Sequence, residues 1–343
     1  MPLPPPFSGP FRATTLLGVI AIVAACIGPG ASQRPAAPDT TLASPSPSPS
    51  VSPGGSSGGS PERTVIEFDA DGPLGLDVRD SVAWVSAYDS GEVVAVDLET
   101  NSRRAFTVGN GGVHLLATAG GPVLVAGIDD APGGTLLVVD PASGDIEGLA
   151  VGPLAGLGLD GDGRVWALGS LGEILVIDAG RAAVVGRTSI EVNALEHLDG
   201  VFGAGAFWAS SDTTPVRRLE GEAPAVVAEI ETGGGIPLVF VDGLVWGARA
   251  DELWAIDPAT DEVTRRIPLE GLIEILDLDV SGGVAWIAGR KPGRVGVVVG
   301  IDLASGSILG QAPVSLPAGV AIAGDRVWVT DYETDELVGI DRR

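Results

Sequence analysis

The sequence predicts an all-β chain, a seven-bladed β-propeller built of four-stranded antiparallel blades. Three observations predict it. A unit of about 40 residues recurs seven times between Glu62 and Arg343. Its apolar runs are five to seven residues long and rich in Val, Ile, Leu and Trp. Gly, Asp, Pro and Ser punctuate those runs. A period near 40 marks a solenoid or a propeller, and short β-rich runs bounded by turn residues are strands. Four such strands fill a propeller blade. Apolar residues at i, i+3, i+4 and i+7 are not sustained over three turns, which argues against a helical repeat.

Each unit carries two landmarks. The first is an anchor tryptophan, at Trp84, Trp166, Trp208, Trp246, Trp286 and Trp328, with Leu124 in its place in the second unit. The second is an apolar run ending in Asp, as in Val93-Val-Ala-Val-Asp97, Leu136-Leu-Val-Val-Asp140, Ile174-Leu-Val-Ile-Asp178, Leu253-Trp-Ala-Ile-Asp257 and Val298-Val-Gly-Ile-Asp302; the fourth unit has Val216-Arg-Arg-Leu-Glu220 instead. Turn formers such as Pro141-Ala-Ser-Gly144 and Pro258-Ala-Thr-Asp261 follow, at offsets that suit a tight hairpin. The middle strands read as near-continuous apolar runs because both faces of a blade are covered by its neighbours. The anchor tryptophan is expected to fill the wedge between blades.

Closure is also predicted. The seventh unit holds three strands up to Asp341, while Arg63-Thr-Val-Ile-Glu-Phe68 is a strand without a blade of its own. Adding it to the seventh sheet leaves no open edge.

The segment before the ring reads differently. Ala13-Thr-Thr-Leu-Leu-Gly-Val-Ile-Ala-Ile-Val-Ala-Ala25 is an uncharged apolar stretch of signal-peptide length, too short to span a bilayer comfortably. It runs into Val23-Ala-Ala-Cys26, which resembles the bacterial lipobox, and Cys26 is the one cysteine in the chain. Residues 1–25 are therefore expected to be a signal peptide, with a lipid on Cys26. Residues 26–61 hold Ser44-Pro-Ser-Pro-Ser-Pro-Ser50 and Gly54-Gly-Ser-Ser-Gly-Gly59, a composition that cannot build a core. They are expected to be a disordered tether to the ring at 62–343, placing it in the bacterial cell envelope on the outer face of the cytoplasmic membrane.

The ring carries 18 basic and 44 acidic residues, a net charge of −26, and Lys291 is its one lysine. Such a surface repels nucleic-acid phosphates and favours cationic ligands. A protein, peptide or glycan partner, no nucleic acid, no cofactor and a monomer are expected.

Function in such a scaffold falls to loops. The loops after the second strands, with those between blades, supply Tyr88, Asp89, Asp129, Asp130, Asp212, Arg249, Arg290, Lys291, Asp331, Tyr332 and Glu333 as candidate binding residues. Tyr88 and Tyr332 are the two tyrosines of the protein and occupy equivalent positions in blades 1 and 7. Flanked by Asp89 and Asp331, with Arg249, Arg290 and Lys291 across the ring, they form a binding rim. Asp69-Ala-Asp-Gly72, Asp160-Gly-Asp-Gly163 and Asp277-Leu-Asp279 pair carboxylates at i, i+2 without the further oxygen ligands of a calcium loop, and read as β-turns. His114 and His197 lie in different blades, so no zinc spacing arises. Each sits near the start of an inner strand, and Glu196 and Asp199 beside His197 give it the neighbours of a tuned acid–base group.

The run Pro317-Ala-Gly-Val-Ala-Ile-Ala-Gly-Asp-Arg-Val-Trp-Val-Thr-Asp331, continued to Gly339-Ile-Asp341, resembles the YVTN/YncE-type β-propeller repeat. It is similar also to the repeat of streptogramin B lyase. Val241-Asp-Gly-Leu-Val-Trp246 with Ala255-Ile-Asp-Pro-Ala-Thr260 is a second copy. The resemblance covers residues 63–343 and implies the propeller fold; a fold of this kind hosts binding proteins, envelope proteins and a few enzymes. The lyase resemblance implies metal-assisted elimination through His and Glu on the channel face, for which His114 or His197 with Glu196 are the available residues. The Trp-Phe-Thr-Glu block of that family is replaced here by Trp328-Val-Thr-Asp331 and Trp246-Gly-Ala-Arg249.

Overall fold

The computed structural model describes residues 63–109, 112–118, 120–127, 135–193 and 196–342. The expected signal peptide, Cys26 and the tether lie outside them, as do Asp129 and Asp130. Among the described residues no helix is long and apolar enough to cross a membrane.

Among the described residues, twenty-eight strands form seven antiparallel sheets of four. The inner strands of blades 1 to 7 are Pro73–Arg79, Gly112–Ala117, Leu154–Leu159, Leu198–Gly203, Leu238–Val241, Glu274–Ser281 and Pro317–Ala323. Six blades are filled in chain order; the outer place of blade 7 is taken by Arg63–Glu67. That strand pairs antiparallel with Glu336–Asp341 in the register Arg63↔Ile340 to Glu67↔Glu336. Arg63 adds an ion pair to Glu336 at 3.3 Å. The predicted closure is therefore observed, with Phe68 just past the strand end and bonded to the carbonyl of Asp335.

Burial explains the two kinds of strand sequence. The second and third strands are buried almost throughout, as in Val165–Gly169 and Glu173–Asp178, while outer strands such as Arg103–Thr107 alternate or lie exposed. Each core cluster joins one blade to the next. Trp84 packs with Val123 and Val125, Leu124 with Leu157 and Val165, and Trp208 with Val245 and Trp254. Trp246 packs with Leu278 and Ile287, Trp286 with Val320 and Val329, and Trp328 with Ala83 and Val85. Trp166 stacks on Phe207 with ring centroids 5.8 Å apart. The anchors are wedges between sheets, which is why the repeat keeps a large apolar side chain there.

The Asp that ends most of the third strands also has a local cause. Its carboxylate turns back to cap the following turn: Asp97 Oδ1 accepts from the N–H of Thr100 at 2.8 Å, Asp140 Oδ1 from Ala142 at 2.7 Å, Asp257 Oδ1 from Ala259 at 2.9 Å, and Asp302 Oδ1 from Ser305 at 2.6 Å. An Asx turn of this kind satisfies backbone donors that the hairpin leaves unpaired. Such bonds hold the carboxyls of Asp97 and Asp140 below the ordinary carboxylate range, and the Ser305 hydroxyl, donating at 2.7 Å, with the Ser305 N–H does the same for Asp302.

Blades 3 and 4 approach closely at their seam. A Cβ on Gly156 would fall 2.4 Å from the Gly200 nitrogen, and one on Gly158 2.5 Å from Phe202 Cβ. Glycine lets the two inner strands meet backbone to backbone.

Candidate functional site

The loops after the second strands and the blade-to-blade connections share one face of the ring. At its closing seam, blade 7 meets blade 1 through the predicted tyrosine pair. The Tyr332 hydroxyl donates to Asp89 Oδ2 at 2.7 Å. The Gly72 N–H donates to Asp335 Oδ1 at 2.8 Å, and the Gly72 carbonyl accepts from the Tyr88 N–H at 2.8 Å. Gly72 has φ +72°, and a Cβ there would lie 2.6 Å from Asp89 Oδ2 and 3.1 Å from the Tyr332 ring. Only glycine gives both the left-handed turn and the space. Tyr88, Asp89 and Tyr332 are thus brought to one place, with the exposed Glu333 beside them.

Four expected rim residues are engaged within their own blades or with the connections beside them. Asp331 is 1% exposed; its carboxylate accepts from the N–H groups of Ser315 at 2.9 Å and Leu316 at 3.0 Å. It ends the strand Arg326–Asp331 and ties down the connection from blade 6, so it is not a rim acid. Arg290 is 2% exposed and pairs with Glu274 at 2.8 Å, because the second strand of blade 6 runs on to Lys291 and turns the guanidinium inward. Lys291 donates to Gln311 at 2.5 Å. Arg249 is half-exposed but paired with Asp251 at 2.8 Å.

A second cluster stands at the end of blade 4. His197 Nδ1 and Asp212 Oδ2 are 2.8 Å apart, and the same oxygen accepts from the His197 N–H at 3.1 Å. Glu196 accepts from Asn193 Nδ2 at 2.7 Å and from the Thr213 hydroxyl. Burial acts to raise the Glu196 carboxyl, and the bonds from Thr213 and Asn193 outweigh it, holding it below the ordinary range. Asp199 does not join this cluster. His114, on the inner strand of blade 2, is pushed down to about 4 by burial and is a neutral imidazole. Among the described residues no group of three or more His, Cys, Asp or Glu is arranged to hold a metal ion.

Four carboxylates, Asp77, Asp199, Asp277 and Asp279, occupy the inner strands. Asp77 Oδ2 accepts from the N–H of Ala117 at 2.8 Å, Asp199 Oδ2 from Leu238 at 2.7 Å, Asp277 Oδ2 from Val320 at 2.7 Å and Asp279 Oδ2 from Ile322 at 2.7 Å. Every bond crosses to the next blade. Asp277-Leu-Asp279 is therefore part of the strand Glu274–Ser281 and not the expected turn; its alternation sends both carboxylates to one side. Asp160 does form a turn, accepting from Asp162 and Arg164 at 2.9 Å. Burial pushes Asp199 up to about 7, Asp277 to about 8 and Asp279 to about 6 against the opposing backbone bonds. Burial also raises Asp77, with Arg79 3.7 Å away pulling the other way. An acid interrupting an apolar strand, as in Leu76-Asp-Val78 and Leu198-Asp-Gly200, was the available signal.

No family model matches the chain, and no curated protein matches it in sequence. Solved structures do match in shape. Hydrazine synthase of Kuenenia stuttgartiensis is similar at a TM-score of 0.64 and 17% identity, covering 80% of this chain and 97% of that one. The crystal structure of the computationally designed Ika8 protein is similar at 0.62 and 13% identity, covering 80% of this chain and 98% of that one. At these identities the likeness is one of fold, and the chain is a seven-bladed β-propeller closed by its N-terminal strand.

Proposed function

We propose that this protein is a monomeric, lipid-anchored binding module of the bacterial envelope, a propeller of the YVTN/YncE repeat type held outside the cytoplasmic membrane by a lipid on Cys26. Its ligand face is the closing seam of the ring, and its partner is a basic peptide or protein segment. The observation that carries this reading is the Tyr332–Asp89 contact, built across the seam on the bond between Gly72 and Asp335. Two aromatic rings beside carboxylates suit a cationic side chain, which gains charge attraction and ring contact together. The net charge of −26 over the ring supports the same partner chemistry.

The test uses the full chain and defined probes: oligolysine, oligoarginine, oligoglutamate and a neutral glycan, titrated at low salt. Oligocation binding that weakens in Asp89→Asn and Tyr332→Phe supports the reading. Equal binding of all four probes, or none, defeats it. Anchoring is tested separately by palmitate labelling, which Cys26→Ser should abolish.

The His197–Asp212 pair favours a second reading, a metal-assisted envelope enzyme with His197 as acid–base group and Glu196 nearby. Under it, His197→Ala or chelation abolishes turnover of a lactone-containing substrate; a binding module is indifferent to both.

A further inference from the structure

The hairpin between the second and third strands of blade 6 differs from its counterparts in length and in charge. Counted from the anchor tryptophan, the second strands of blades 1, 3, 4, 5 and 7 end three residues on, at Ala87, Gly169, Ser211, Arg249 and Asp331. That of blade 6 ends five residues past Trp286, at Lys291, and stays paired to the tip through Arg290↔Gly296 and Lys291↔Val295. Two more residues at ~3.4 Å each lift this tip about 7 Å above its neighbours, on the face that also carries the closing seam. Asp89, Asp212, Asp251 and Glu333 stand in the corresponding turns of blades 1, 4, 5 and 7. Blade 6 has Pro292-Gly-Arg294 there, and no acid lies anywhere between Asp279 and Asp302. Gly293 at φ +82° and Arg294 at φ +61° turn the chain over.

Two of its three cations keep their charge uncancelled. Arg290 is neutralised by Glu274 at 2.8 Å and lies buried. Lys291 donates to the uncharged amide of Gln311. Arg294 is exposed and forms no ion pair among the described residues. Beside them Val295 is 56% exposed and Ile273 49%. Val295 pairs with Lys291 on one side, and the bond from the Ile273 N–H to the Arg290 carbonyl at 2.8 Å sets Ile273 across from Lys291 on the other. A cation between two exposed β-branched side chains, on a convex tip, suits a lipid surface. Headgroups take the charges, and the apolar side chains enter the acyl boundary. A convex tip offers a peptide no groove. A second copy of the chain would set a ring of net charge −26 against another. We propose that the blade 6 hairpin is a membrane-docking tip, seating the ring on an anionic phospholipid surface through Lys291, Arg294, Val295 and Ile273. Its reach of about 7 Å is close to the Debye length of ~8 Å at physiological ionic strength, so the acids of neighbouring turns feel that surface weakly. The tip acts beyond the anchor on Cys26 and the ligand of the closing seam, and depends on neither.

The test replaces Cys26 by Ser in the full chain, so that no lipid is attached, and places a polarity-sensitive dye on Val295→Cys. Gly161→Cys, in the exposed turn after Asp160 on the opposite face, is the reference site. Each labelled protein is titrated with phosphatidylglycerol vesicles and with phosphatidylcholine vesicles at about 0.15 M salt. The dye at 295 should shift to the blue on the anionic vesicles, and stay unshifted on the neutral ones and at 161. Each cation near such a surface contributes about fivefold, so Lys291→Gln/Arg294→Gln should need roughly 25-fold more anionic lipid for the same shift. No shift at 295, an equal shift at 161 or on neutral vesicles, or a double variant that behaves as its parent overturns the proposal. An equal shift with oligoglutamate and no lipid also overturns it, and assigns the tip to an acidic protein. Should the label disturb the tip, sedimentation of the unlabelled Cys26→Ser chain with both kinds of vesicle, with and without the two Gln substitutions, makes the same comparison. Oligocation binding at the closing seam is read on other residues, so either claim can fail alone.

Discussion

Trp208 and Trp286 occupy the same position in blades 4 and 6, yet their indole N–H groups fare differently. Trp208 is fully buried and Nε1 donates to the Gly203 carbonyl at 3.0 Å. Trp286 is 4% exposed, and its buried Nε1 meets no acceptor among the described residues. Replacing either by Phe shrinks the wedge and gives up about 1 kcal/mol of apolar burial. Trp208→Phe also loses a hydrogen bond and strands a carbonyl, about 1 kcal/mol more. Trp286→Phe instead removes an unpaired buried donor and recovers about 1 kcal/mol or more. The common burial loss cancels in the comparison, leaving Trp208→Phe about 2 kcal/mol less stable than Trp286→Phe. For a domain of this size that gap is about 4–8 °C in Tm. Thermal melts of both variants, with urea titration to check for equal m-values, read it directly. Equal losses, or a larger loss in Trp286→Phe, would refute the claim that hydrogen-bond satisfaction separates the two wedges.

Gly156→Ala should cost at least about 2 kcal/mol by urea titration, because the new methyl meets the backbone of Gly200 and seam 3–4 must open. Gly161→Ala, which has open space within 4 Å, should be neutral or stabilising by up to about 1 kcal/mol. Asp302→Ala should lower Tm at pH 7 while leaving the rim contacts intact, and the loss should shrink as pH falls through the lowered pKa of the wild-type carboxyl; melts of both proteins over a descending pH series check this.

Much of the ring was legible in the sequence because its causes are local and repeated. A large wedge and a turn-capping Asp must recur in nearly every blade, so they leave a period. The unpaired strand at Arg63 could be assigned because an open sheet edge is costly, and its partner strand ends the repeat. The site was legible only in part. Tyr332 and Asp89 come together because equivalent loops of adjoining blades must. Arg290 and Asp331 read as rim residues in the sequence because sequence does not mark where a strand stops. Arg290 is next to last in Val284–Lys291 and Asp331 is last in Arg326–Asp331, and both side chains are buried there. Asp277 and Asp279 were hidden by the opposite error, since Asp near other Asp suggests a turn. Their partners lie 43 residues away on the next blade, at a distance set by the ring and not by the local chain.

Ring closure can be measured most directly by a cross-link between the first and last strands. Glu67 and Glu336 are opposed in the register, and Cys26→Ser leaves the chain without other thiols. In Glu67→Cys/Glu336→Cys, mild oxidation should give one intramolecular disulfide, seen as faster non-reducing migration. It should raise stability over the reduced form by up to about 5 kcal/mol, since it closes almost the whole ring. Cross-linking only between molecules, or none at all, would contradict a propeller sealed by its N-terminal strand.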